Sequence, residues 1–409
     1  MIRLRNKRFR EAEGKRRRRQ AADTCFIAVT GSHGKTTATA LLGAILNRHR
    51  PTHIRQGPNS SQAVMRSLRY LQPWLHRYCV QEVSGNYPGA IDNSFDLLRP
   101  SIGIVTAVGG DHRSNFRSLE ATAEEKSRLV HRLPTDGLAI LNGDDPHVAA
   151  MAEGCVCPVR VYGTTPDADL RLLEAKSRWP ERLQLKVSFR GDSFSVHTQF
   201  VGVHWAVSVM AALLTALELG VSRDACQRAI EAFTPIGERS SVHHKPGGPW
   251  FVLDTQKAPF PGIEACLAFL ADAHASRKTV VFGTISDYPG ASRRHYERAA
   301  VLALNVADRV IFVGPNAPRV RRLADGEYKG RLTYEEDLKD VQKFLSLSAV
   351  PGELVYMKSS RADALHSLFS NRLSIVDCLV GDRFGRLGCR PYLLEKIQAL
   401  FSSRSIPGS

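Results

Sequence analysis

The sequence predicts an α/β protein in which parallel sheets are covered by helices. Short apolar runs alternate with helical patterns along most of the 409 residues, as in chains built from strand–helix–strand units. A glycine-rich turn also follows the apolar run Cys25–Val29 and precedes a helical pattern at Thr36–Arg48. We therefore expect a parallel-sheet domain that contains a phosphate-binding loop (a P-loop), followed by a smaller Rossmann-like α/β domain.

Eight apolar runs have the length and composition of strands: Cys25–Val29, Tyr78–Glu82, Ile102–Val108, Leu138–Leu141, Trp250–Leu253, Thr279–Phe282, Val310–Val313 and Glu353–Met357. Six segments carry apolar residues at helical spacing: Thr36–Arg48, Leu119–Arg132, Val203–Leu219, Gly262–Ala275, Arg293–Asn305 and Ser360–Phe369. The order of these segments predicts two successive sheets with helices between their strands.

The domain boundaries follow from changes in composition. Between residues 160 and 199 charged and β-prone residues alternate without a clear helix, which is typical of an antiparallel hairpin insert. Residues 235–249 are rich in glycine and proline and indicate a linker region. We predict four segments: a basic N-terminal arm (1–21), a first domain (22–236), a second domain (237–375) and a C-terminal extension (376–409).

The charge is concentrated at the start of the chain. The formal net charge is +16, and residues 1–20 supply half of it, with ten lysines and arginines against Glu11 and Glu13. Such an arm can bind nucleic acid or an anionic membrane surface, and it can equally be a solvated, partly helical lead-in. No uninterrupted apolar run is long enough for a stable membrane span, and the eight cysteines have no zinc-ligand spacing. We expect a cytoplasmic protein.

The strongest motif is the turn Gly31-Ser32-His33-Gly34-Lys35-Thr36-Thr37. A turn of this kind between a buried strand and a helix aims backbone N–H groups at phosphate oxygens. Lys35 would reach the β- and γ-phosphate oxygens, and a threonine hydroxyl would contact Mg²⁺. Val29 stands where the general G-x-x-x-x-G-K-[ST] motif has its first glycine, so this motif is shorter. The alternative is a glycine-rich turn with a surface lysine.

Polar side chains end the next predicted strands. Glu82 ends the second strand, His112 follows the third, and Lys126 lies on the helix after it. Because ligands bind at the carboxyl ends of parallel strands, these residues form one candidate site with the glycine-rich turn. Taken singly, Glu82 could be a surface carboxylate, His112 a loop histidine and Lys126 part of a solvated helix face.

In their order and spacing these motifs resemble the Mur ligase family. The run Glu82–Ile91, which contains Asn-x-Pro-Gly-x-Ile, is similar to the branch that adds D-alanyl-D-alanine. In the second half, Leu253–Pro259 resembles the Asp-containing loop that opens the family's C-terminal domain, and Met357–Arg361 resembles its Lys-Gly-Ser-Arg turn. The resemblance spans residues 22–375 and implies the family's central ATP-binding and C-terminal domains.

The resemblance implies an ATP-dependent ligase that joins a carboxylate to an amine through an acyl phosphate. It assigns nucleotide binding to Gly31, Ser32, His33, Gly34, Lys35, Thr36, Thr37 and Asp254. Thr36 and Glu82 would ligate the Mg²⁺ that bridges the phosphates. His112 would help to bind a second Mg²⁺, and Lys126 corresponds to a lysine that many members carry as a carbamate ligand of that metal.

In the second half, Asp254 would contact the ATP ribose, unless it is only a strand-end carboxylate. Arg239 is placed like the family's linker arginine, which approaches the γ-phosphate when the domains close. Lys358, Ser360 and Arg361 form a polar turn beside the expected amino-substrate site, and the alternative for them is a purely structural turn. The expected catalytic residues are Lys35, His112, Lys126 and Arg239.

Three departures from the family pattern limit the assignment. Trp205 and Ser208 stand where the family has two asparagines near the adenine, and Trp205 could stack on a base or fill the core. Thr255-Gln256-Lys257 differs from the family's usual sequence at that place. Only about twenty residues precede the first strand, so we expect the UDP-sugar-binding domain to be missing and the acid not to be a UDP-muramyl peptide.

The sequence thus predicts a Mg²⁺- and ATP-dependent ligase that joins a small-molecule or peptide acid to an amine or amino acid. Two alternatives stay open. The first is a non-ligase P-loop ATPase whose basic arm binds nucleic acid or a membrane. The second is a catalytically inactive homologue that serves as a binding subunit, because two family asparagines are replaced.

Overall fold

The structure, a computed structural model, describes residues 12–110, 116, 118–244 and 247–365. Within these residues a nine-stranded sheet is followed along the chain by a six-stranded sheet, and all of them fall in one compact unit. Residues 1–11, His112 and the predicted C-terminal extension 376–409 lie outside the described residues.

Each of the eight predicted apolar runs contains a strand, and seven further strands among the described residues were not predicted as runs of this kind. The first sheet contains β1 (Cys25–Thr30), β2 (Thr52–Arg55), β3 (Tyr78–Glu82), β4 (Ile102–Val105), β5 (Leu138–Asn142), β6 (Val159–Gly163), β7 (Leu170–Lys176), β8 (Gln184–Phe189) and β9 (Asp192–His197). The second contains β10 (Ser241–His244), β11 (Trp250–Asp254), β12 (Lys278–Phe282), β13 (Arg309–Val313), β14 (Leu332–Glu335) and β15 (Leu354–Lys358).

Helices connect most of the parallel strands. They are α1 (residues 12–20), α2 (Lys35–His49), α3 (Ser61–Leu68), α4 (Ala90–Leu98), α5 (Leu119–His131), α6 (Pro146–Ala149), α7 (Ala206–Glu218), α8 (Arg223–Glu231), α9 (Ile263–Ala271), α10 (Ser292–Leu304), α11 (Arg321–Asp325) and α12 (Leu338–Ser348). Among the described residues, no helix is both long and apolar enough to cross a membrane.

The first sheet has the strand order β2-β3-β1-β4-β5-β6-β7-β8-β9, and its strands β2 to β7 run parallel. In register, Val29 of β1 lies between Glu82 of β3 and Ile104 of β4. The parallel strands therefore end together at one edge, which we call the carboxyl edge, near Thr30 and Asn142. They begin together at the opposite edge, which we call the amino edge.

Both faces of the first sheet are covered. Ile27 and Val29 of β1 pack with α2, α7 and α8, whereas Phe26 and Ala28 pack with α3, α4 and α5. This alternation is the two-residue period of a strand buried on both sides. Helix α7 is apolar almost all round and lies in the core, as its sequence predicts.

The second sheet has the order β10-β11-β15-β12-β13-β14, in which only β10 is antiparallel to its neighbour. Helices α9 and α10 contribute to the core on one face and α12 to the core on the other. The predicted α/β class, with two parallel sheets covered by helices, is confirmed.

Three local expectations need correction. The antiparallel pattern expected over 160–199 is confirmed for β7, β8 and β9, but these strands are not a separate insert, because β6 and β7 continue the parallel sheet. The expected linker contains β10, which pairs with β11. The helix predicted over Ser360–Phe369 is wrong at its start: a short 3-10 turn at Arg361–Asp363 ends at Ala364, whose φ of +50° leaves the helical region.

Candidate active site

The glycine-rich turn lies at the carboxyl edge, between β1 and α2. Gly31 has φ +142° and Gly34 has φ +80°. A Cβ atom on Gly31 would lie 2.1 Å from Thr106 Oγ1, so the backbone approaches its neighbour too closely for any other residue. The Ser32 N–H donates to Ala107 O (2.7 Å), and the Gly109 N–H donates to Ser32 Oγ (2.7 Å). Residues 106–108, expected as the end of a strand, instead hold the turn in shape together with Gly109.

The turn opens directly onto the first turn of α2. Backbone N–H groups in the first turn of an α-helix have no acceptor within the helix, and no acidic residue occupies this one. The Lys35 ammonium folds back over the loop and donates to the carbonyl oxygens of Gly31 and Ser32, the second at 3.2 Å. Loop, helix end and lysine together form a surface suited to an anion.

Glu82 is buried at the end of β3, with 2% of its surface exposed. One carboxylate oxygen accepts from the Gly57 N–H (2.7 Å) and the other from Asn59 Nδ2 (2.8 Å). Because each carboxylate oxygen can accept two hydrogen bonds, the side chain is oriented but still able to bind a cation. A surface carboxylate is thus excluded for Glu82. Asn59 is a contact that the sequence did not reveal.

Lys126 is also buried, with 1% exposed, so a solvated helix face is excluded as well. Its neighbour Glu125 accepts from the backbone N–H groups of Gly89 and Ile91, both at 2.8 Å. A Cβ atom on Gly85 would lie 3.6 Å from the Lys126 Cγ. The segment after β3 and helix α5 therefore enclose Lys126 together, and the hydrogen bonds to Glu125 join the two.

Arg239 lies at the junction of the two sheets. Burial lowers the pKa of its guanidinium, while the charges of Glu82, Asp254 and Glu238 act in the opposite direction. Arg239 thus lies within electrostatic reach of carboxylates on both sheets. Its neighbours Glu238 and Ser240 have φ values of +61° and +57°, a strained conformation for residues with a Cβ.

The end of β11 is held by an ion pair. Asp254 and Lys358 are register partners on β11 and β15, and the Lys358 ammonium lies 2.5 Å from Asp254 Oδ2. Tyr356 Oη donates to the same oxygen at 3.1 Å. Burial alone would lower the pKa of Lys358, but the Asp254 charge and hydrogen bonds outweigh it and raise that pKa. Lys358 is therefore directed to Asp254 in this structure.

The other two residues of the predicted substrate turn differ. Ser360 caps the 3-10 turn through a reciprocal hydrogen-bond pair with Asp363, whereas Arg361 is exposed. Ser360 therefore has a structural role in this turn, and Arg361 is the most exposed of the three residues. The substrate-binding role of all three remains a prediction.

His204 was missed by the sequence analysis. Both ring nitrogens are buried and have no hydrogen-bond partner among the described residues. Burial, opposed by the charge of Asp254 and assisted by Lys358 and His33, lowers the pKa of the imidazole to about 4. The ring thus lies between the phosphate loop and the Asp254–Lys358 pair. Cys266 completes a group of possible metal ligands with His204 and Asp254, but the Lys358 ammonium already supplies the cation there.

The two replaced asparagine positions have structural partners. Trp205 is buried, stacks on Phe200 with ring centroids 5.4 Å apart, and donates through Nε1 to Ser240 Oγ at 2.9 Å. Ser208 Oγ donates to the Gly34 carbonyl oxygen at 3.1 Å. Trp205 therefore fills the core rather than stacking on a base, and Ser208 supports the phosphate loop. Neither contact could be predicted from the sequence, because both depend on where α7 packs.

Comparisons with known proteins agree with this architecture. Residues 29–216 match the family described as the Mur ligase middle domain, and residues 238–361 match the Mur ligase glutamate ligase domain. The UDP-N-acetylmuramoyl-tripeptide–D-alanyl-D-alanine ligase of Bacillus subtilis (strain 168) is 24% identical over 353 residues, which cover 85% of this chain and 76% of that protein.

A second relative matches a shorter region. The UDP-N-acetylmuramate–L-alanine ligase of Stenotrophomonas maltophilia (strain R551-3) is 35% identical over 219 residues, or 52% of this chain. That match spans 43% of the relative, less than half of its length. Similarity to this relative therefore supports the kind of protein and leaves the whole protein's substrates to be proposed.

Solved structures share the fold. A crystal structure of MurF from Acinetobacter baumannii has a TM-score of 0.79 at 25% identity and covers 88% of this chain and 78% of its own. The MurF ligase of Thermotoga maritima in complex with ADP has a TM-score of 0.77 at 19% identity and covers 88% of this chain and 82% of its own. With a phosphate loop, a buried strand-end glutamate and both family domains in order, the chain belongs to the Mur ligase family of ATP-dependent amide ligases.

Proposed function

We propose that this chain joins a carboxylic acid to an amine by ATP-dependent phosphorylation of the acid. The observation that carries the proposal is the grouping at the carboxyl edge: the phosphate loop, buried Glu82 beside the end of β1, and Arg239 within electrostatic reach of Glu82 and Asp254. Such a grouping can contact the phosphates and the ribose of one nucleotide at the same time.

The phosphate loop and Lys35 would bind the β- and γ-phosphates. The first-turn N–H groups of α2 offer hydrogen-bond donors, and Lys35 needs only to turn from the loop carbonyl oxygens to a phosphate oxygen. Phosphoryl transfer depends mainly on positioning and on neutralising charge, which a rigid loop and a cation supply. The bonds from Ser32 and Gly109 provide that rigidity.

The residues at this edge fit Mg²⁺, which prefers oxygen ligands. Glu82 has a buried carboxylate that is already oriented by Gly57 and Asn59, and Thr36 lies in the first turn of α2. We propose these two side chains as ligands of a magnesium ion that, when bound, would neutralise phosphate charge. His112, the proposed ligand of a second ion, lies outside the described residues.

Lys126 is proposed as a carbamate that supplies oxygen ligands to the second ion. A neutral lysine amine adds CO₂ and releases a proton, which turns a cationic side chain into an anionic one. The support for this role is burial. Lys126 on α5, next to Glu125, which accepts a hydrogen bond from the Gly89 N–H, is shielded from bulk water.

After transfer, the acid would carry the γ-phosphoryl group as an acyl phosphate. The amine nitrogen would attack the acyl carbon, the C–N bond would form, and inorganic phosphate would leave as the amine lost its proton. Arg239 is proposed to stabilise charge on the transferred group, because its planar guanidinium lies at the junction and can bind phosphate with two N–H groups. Exclusion of water by the two domains would protect the acyl phosphate from hydrolysis.

His204 is proposed as a contact of the nucleotide. Its two ring nitrogens are buried without a hydrogen-bond partner among the described residues, and an unpaired buried polar group costs about 1 to 3 kcal/mol. A ligand between the phosphate loop and the Asp254–Lys358 pair would supply the missing hydrogen bond. Asp254, whose Oδ2 receives Lys358 and Tyr356, would contact the ribose through its other oxygen.

The finer part of the proposal is that the acid is not a UDP-muramyl peptide. The supporting observation concerns residues 12–24. Their contacts lie at the amino edge and on α3, away from the phosphate loop. Those residues therefore contribute no part of a sugar-nucleotide site beside the loop.

Phosphate release tests the proposed function. The full chain is incubated with Mg-ATP and with pools of acids and amines, including a UDP-muramyl peptide and D-alanyl-D-alanine. We expect turnover only when an acid and an amine are both present, with the amide product visible by mass spectrometry. Turnover driven by nucleic acid alone would identify the non-ligase ATPase, and no turnover with any pool would favour the binding subunit. Efficient use of the UDP-muramyl peptide would overturn the substrate proposal and leave the ligase intact.

Substitution of Lys126 tests the carbamate. Lys126→Ala should abolish ligation while leaving nucleotide binding, measured separately by calorimetry, within about threefold of the unsubstituted protein. Bicarbonate should partly restore activity to weakly carbamylated preparations of the unsubstituted protein and leave Lys126→Ala inactive. Lys186, an exposed lysine on β8, provides the matched control: Lys186→Ala should change neither activity nor bicarbonate response.

A further inference from the structure

A second surface lies at the amino edge of the first sheet, on the opposite side from the phosphate loop. We define the amino-edge patch as Lys15, Arg16, Arg19, Tyr70, Trp74 and Leu75. All six residues are at least partly exposed, and Trp74 is the extreme case, with 78% of its surface accessible. Large aromatic and aliphatic side chains seldom stand together in solvent on a monomer without a binding role.

The patch is built on a rigid loop. Residues 71–77, just before β3, fold onto themselves: the Leu75 and His76 N–H groups donate to Gln72 O at 3.0 and 2.9 Å, and the Gln72 N–H donates to His76 Nδ1 at 2.9 Å. Thr24 Oγ1 donates to His76 O at 2.8 Å and anchors the loop beside the start of β1. Trp74 and Leu75 therefore project from the tip of a closed turn.

The basic helix α1 is tied to the same loop. Arg17 donates to Leu71 O at 2.8 Å, and Arg18 donates to Leu98 O at 2.6 Å while it lies over the Phe26 ring. Gly14 lies against Met65 of α3, where a Cβ would come within 2.6 Å of the sulfur. These contacts fix α1 against the domain and leave Lys15, Arg16 and Arg19 facing solvent. The helical, largely exposed residues 12–20 thus agree with the partly helical lead-in, but Arg17 and Arg18 also attach it to the domain.

The charge around the patch is mainly positive, although the exposed Asp23 lies at the same edge, where Arg77 donates to its carbonyl oxygen. Glu13 forms ion pairs with Arg16 and Arg17, at 2.9 and 2.8 Å, which neutralise its charge. Three more arginines that solvent reaches stand at the same edge, just before strands β2, β3 and β4: Arg50, Arg77 and Arg99. The sequence ahead of α1, outside the described residues, also contains five basic residues: Arg3, Arg5, Lys7, Arg8 and Arg10. Basic residues beside the exposed apolar side chains Trp74 and Leu75 complement a surface with anionic groups on the outside and an apolar interior.

We propose that the amino-edge patch docks the protein on an anionic lipid bilayer, with Trp74 and Leu75 entering the interface. Tryptophan and tyrosine prefer the headgroup level of a bilayer, and each nearby lysine or arginine adds attraction to acidic lipids. A nucleic acid would also attract the cations, but a leucine beside the tryptophan gains nothing from base stacking. The observations therefore favour the membrane surface.

Docking at this edge has a consequence for the site. The parallel strands β1, β3 and β4 run from the amino edge to the carboxyl edge, so the phosphate loop faces away from the lipid. A strand of five or six residues separates the two edges by about 17 to 20 Å. Substrates would then reach the site from the aqueous side while the protein stays on the membrane.

Vesicle binding of the full chain tests the proposal. Vesicles of phosphatidylcholine alone are compared with vesicles in which about one lipid in three is phosphatidylglycerol. We expect flotation with the acidic vesicles only, weakened by salt. Trp74 is the exposed member of four tryptophans, since Trp179 and Trp205 are buried and Trp250 is half-buried. Its fluorescence should shift to the blue on binding and be quenched by brominated acyl chains.

Two variants and two matched controls separate the parts of the patch. Lys15→Glu with Arg19→Glu, and Trp74→Ser with Leu75→Ser, should each weaken vesicle binding at least about tenfold. The controls alter equally exposed residues of the second domain: Lys329→Glu with Lys339→Glu, and Leu347→Ser, which is 78% exposed. Both should bind as the unsubstituted protein does, and unchanged melting curves would establish that all variants fold.

Three results would overturn the proposal. They are no binding to acidic vesicles, equal loss of binding in the control variants, and retention of a DNA fragment that is abolished by the charge reversal while vesicles give no blue shift. The last result would assign the patch to nucleic acid. Because none of these measurements uses ATP turnover, their outcome is independent of the proposed ligase activity.

Discussion

The two edges of the first sheet differ in how they use charged residues. At the carboxyl edge Glu82, Glu125 and Lys126 are almost completely buried, and both glutamates are held by backbone N–H groups. At the amino edge Lys15 and Arg19 are exposed, while their neighbours Arg17 and Arg18 attach helix α1 to the domain through hydrogen bonds to backbone carbonyl oxygens.

Burying a charge is costly unless it is hydrogen-bonded or paired, so a buried charge is kept where its position matters. An exposed cation costs little and acts over a distance set by salt. The comparison therefore separates a site that needs fixed geometry from a surface that needs only net charge and a small apolar tip.

The largest effect is expected at Lys35. Removing its ammonium by Lys35→Ala should lower ligation at least about 100-fold, because the charge of the phosphates is no longer neutralised during transfer. Phosphate release under saturating substrates measures the loss. Lys15→Ala, which removes a lysine from the other edge, should leave turnover unchanged. Comparable losses in both variants would contradict the separation of the two edges.

The next effect concerns the crowded turn. Gly31→Ala places a methyl group 2.1 Å from Thr106 Oγ1 and 2.9 Å from Ala107 N, so we expect a loss of about 3 kcal/mol or more in unfolding free energy, with loss of activity. Denaturant unfolding measures the change.

Gly191 provides the matched control for Gly31. It has a φ of +88°, but no atom of the described residues beyond its chain neighbours lies within 4 Å of the position that a methyl group would take. Gly191→Ala should therefore cost only about 1 to 2 kcal/mol of backbone strain and retain activity. Equal destabilisation of the two variants would indicate that φ, and not contact with residues 106–107, requires Gly31.

The last comparison concerns His53 and His204, whose ring environments both lower the imidazole pKa. Burial, helped by the charges of His76 and Arg55, lowers the pKa of His53 to about 3, and burial lowers that of His204 to about 4, from the ordinary value of 6.5. Below 6.5 the unfolded chain binds protons that the folded protein does not. Stability should therefore fall as pH drops from 6.5 towards each folded pKa, by up to about 1.4 kcal/mol per pH unit for each group.

Phenylalanine substitutions distinguish the two rings. His53 Nε2 is hydrogen-bonded to Ser67 Oγ at 2.8 Å, so His53→Phe should lower the free energy of unfolding by about 1 kcal/mol at neutral pH. His204 has no hydrogen-bond partner to lose among the described residues, so His204→Phe should be nearly neutral for stability and weaken ATP binding. Each variant should remove its own share of the acid dependence in urea unfolding. An unchanged pH slope in both variants would contradict the assignment.

Several elements could be predicted from the sequence because they depend on local pattern. Strand β3 has the predicted bounds, and β1 and α2 differ by one residue at their ends. Register then placed Glu82 beside β1, since parallel strands of similar length end together. The start of the helix predicted over 360–369 is wrong because the helical pattern gave no sign of the capping pair Ser360–Asp363, and residues 366–369 lie outside the described residues. Strand β10 was hidden by the glycines and prolines that follow it.

The sequence by itself determined eight of the fifteen strands in the described part of the chain, the phosphate loop and the residues that follow the strand ends, because alternating apolar runs and glycine turns act over a few residues. Only the tertiary structure decided that Lys126 is buried, that Lys358 pairs with Asp254, and that Trp74 stands beside the basic helix α1. Those outcomes depend on which faces of distant segments meet, and no local pattern in the chain encodes that choice.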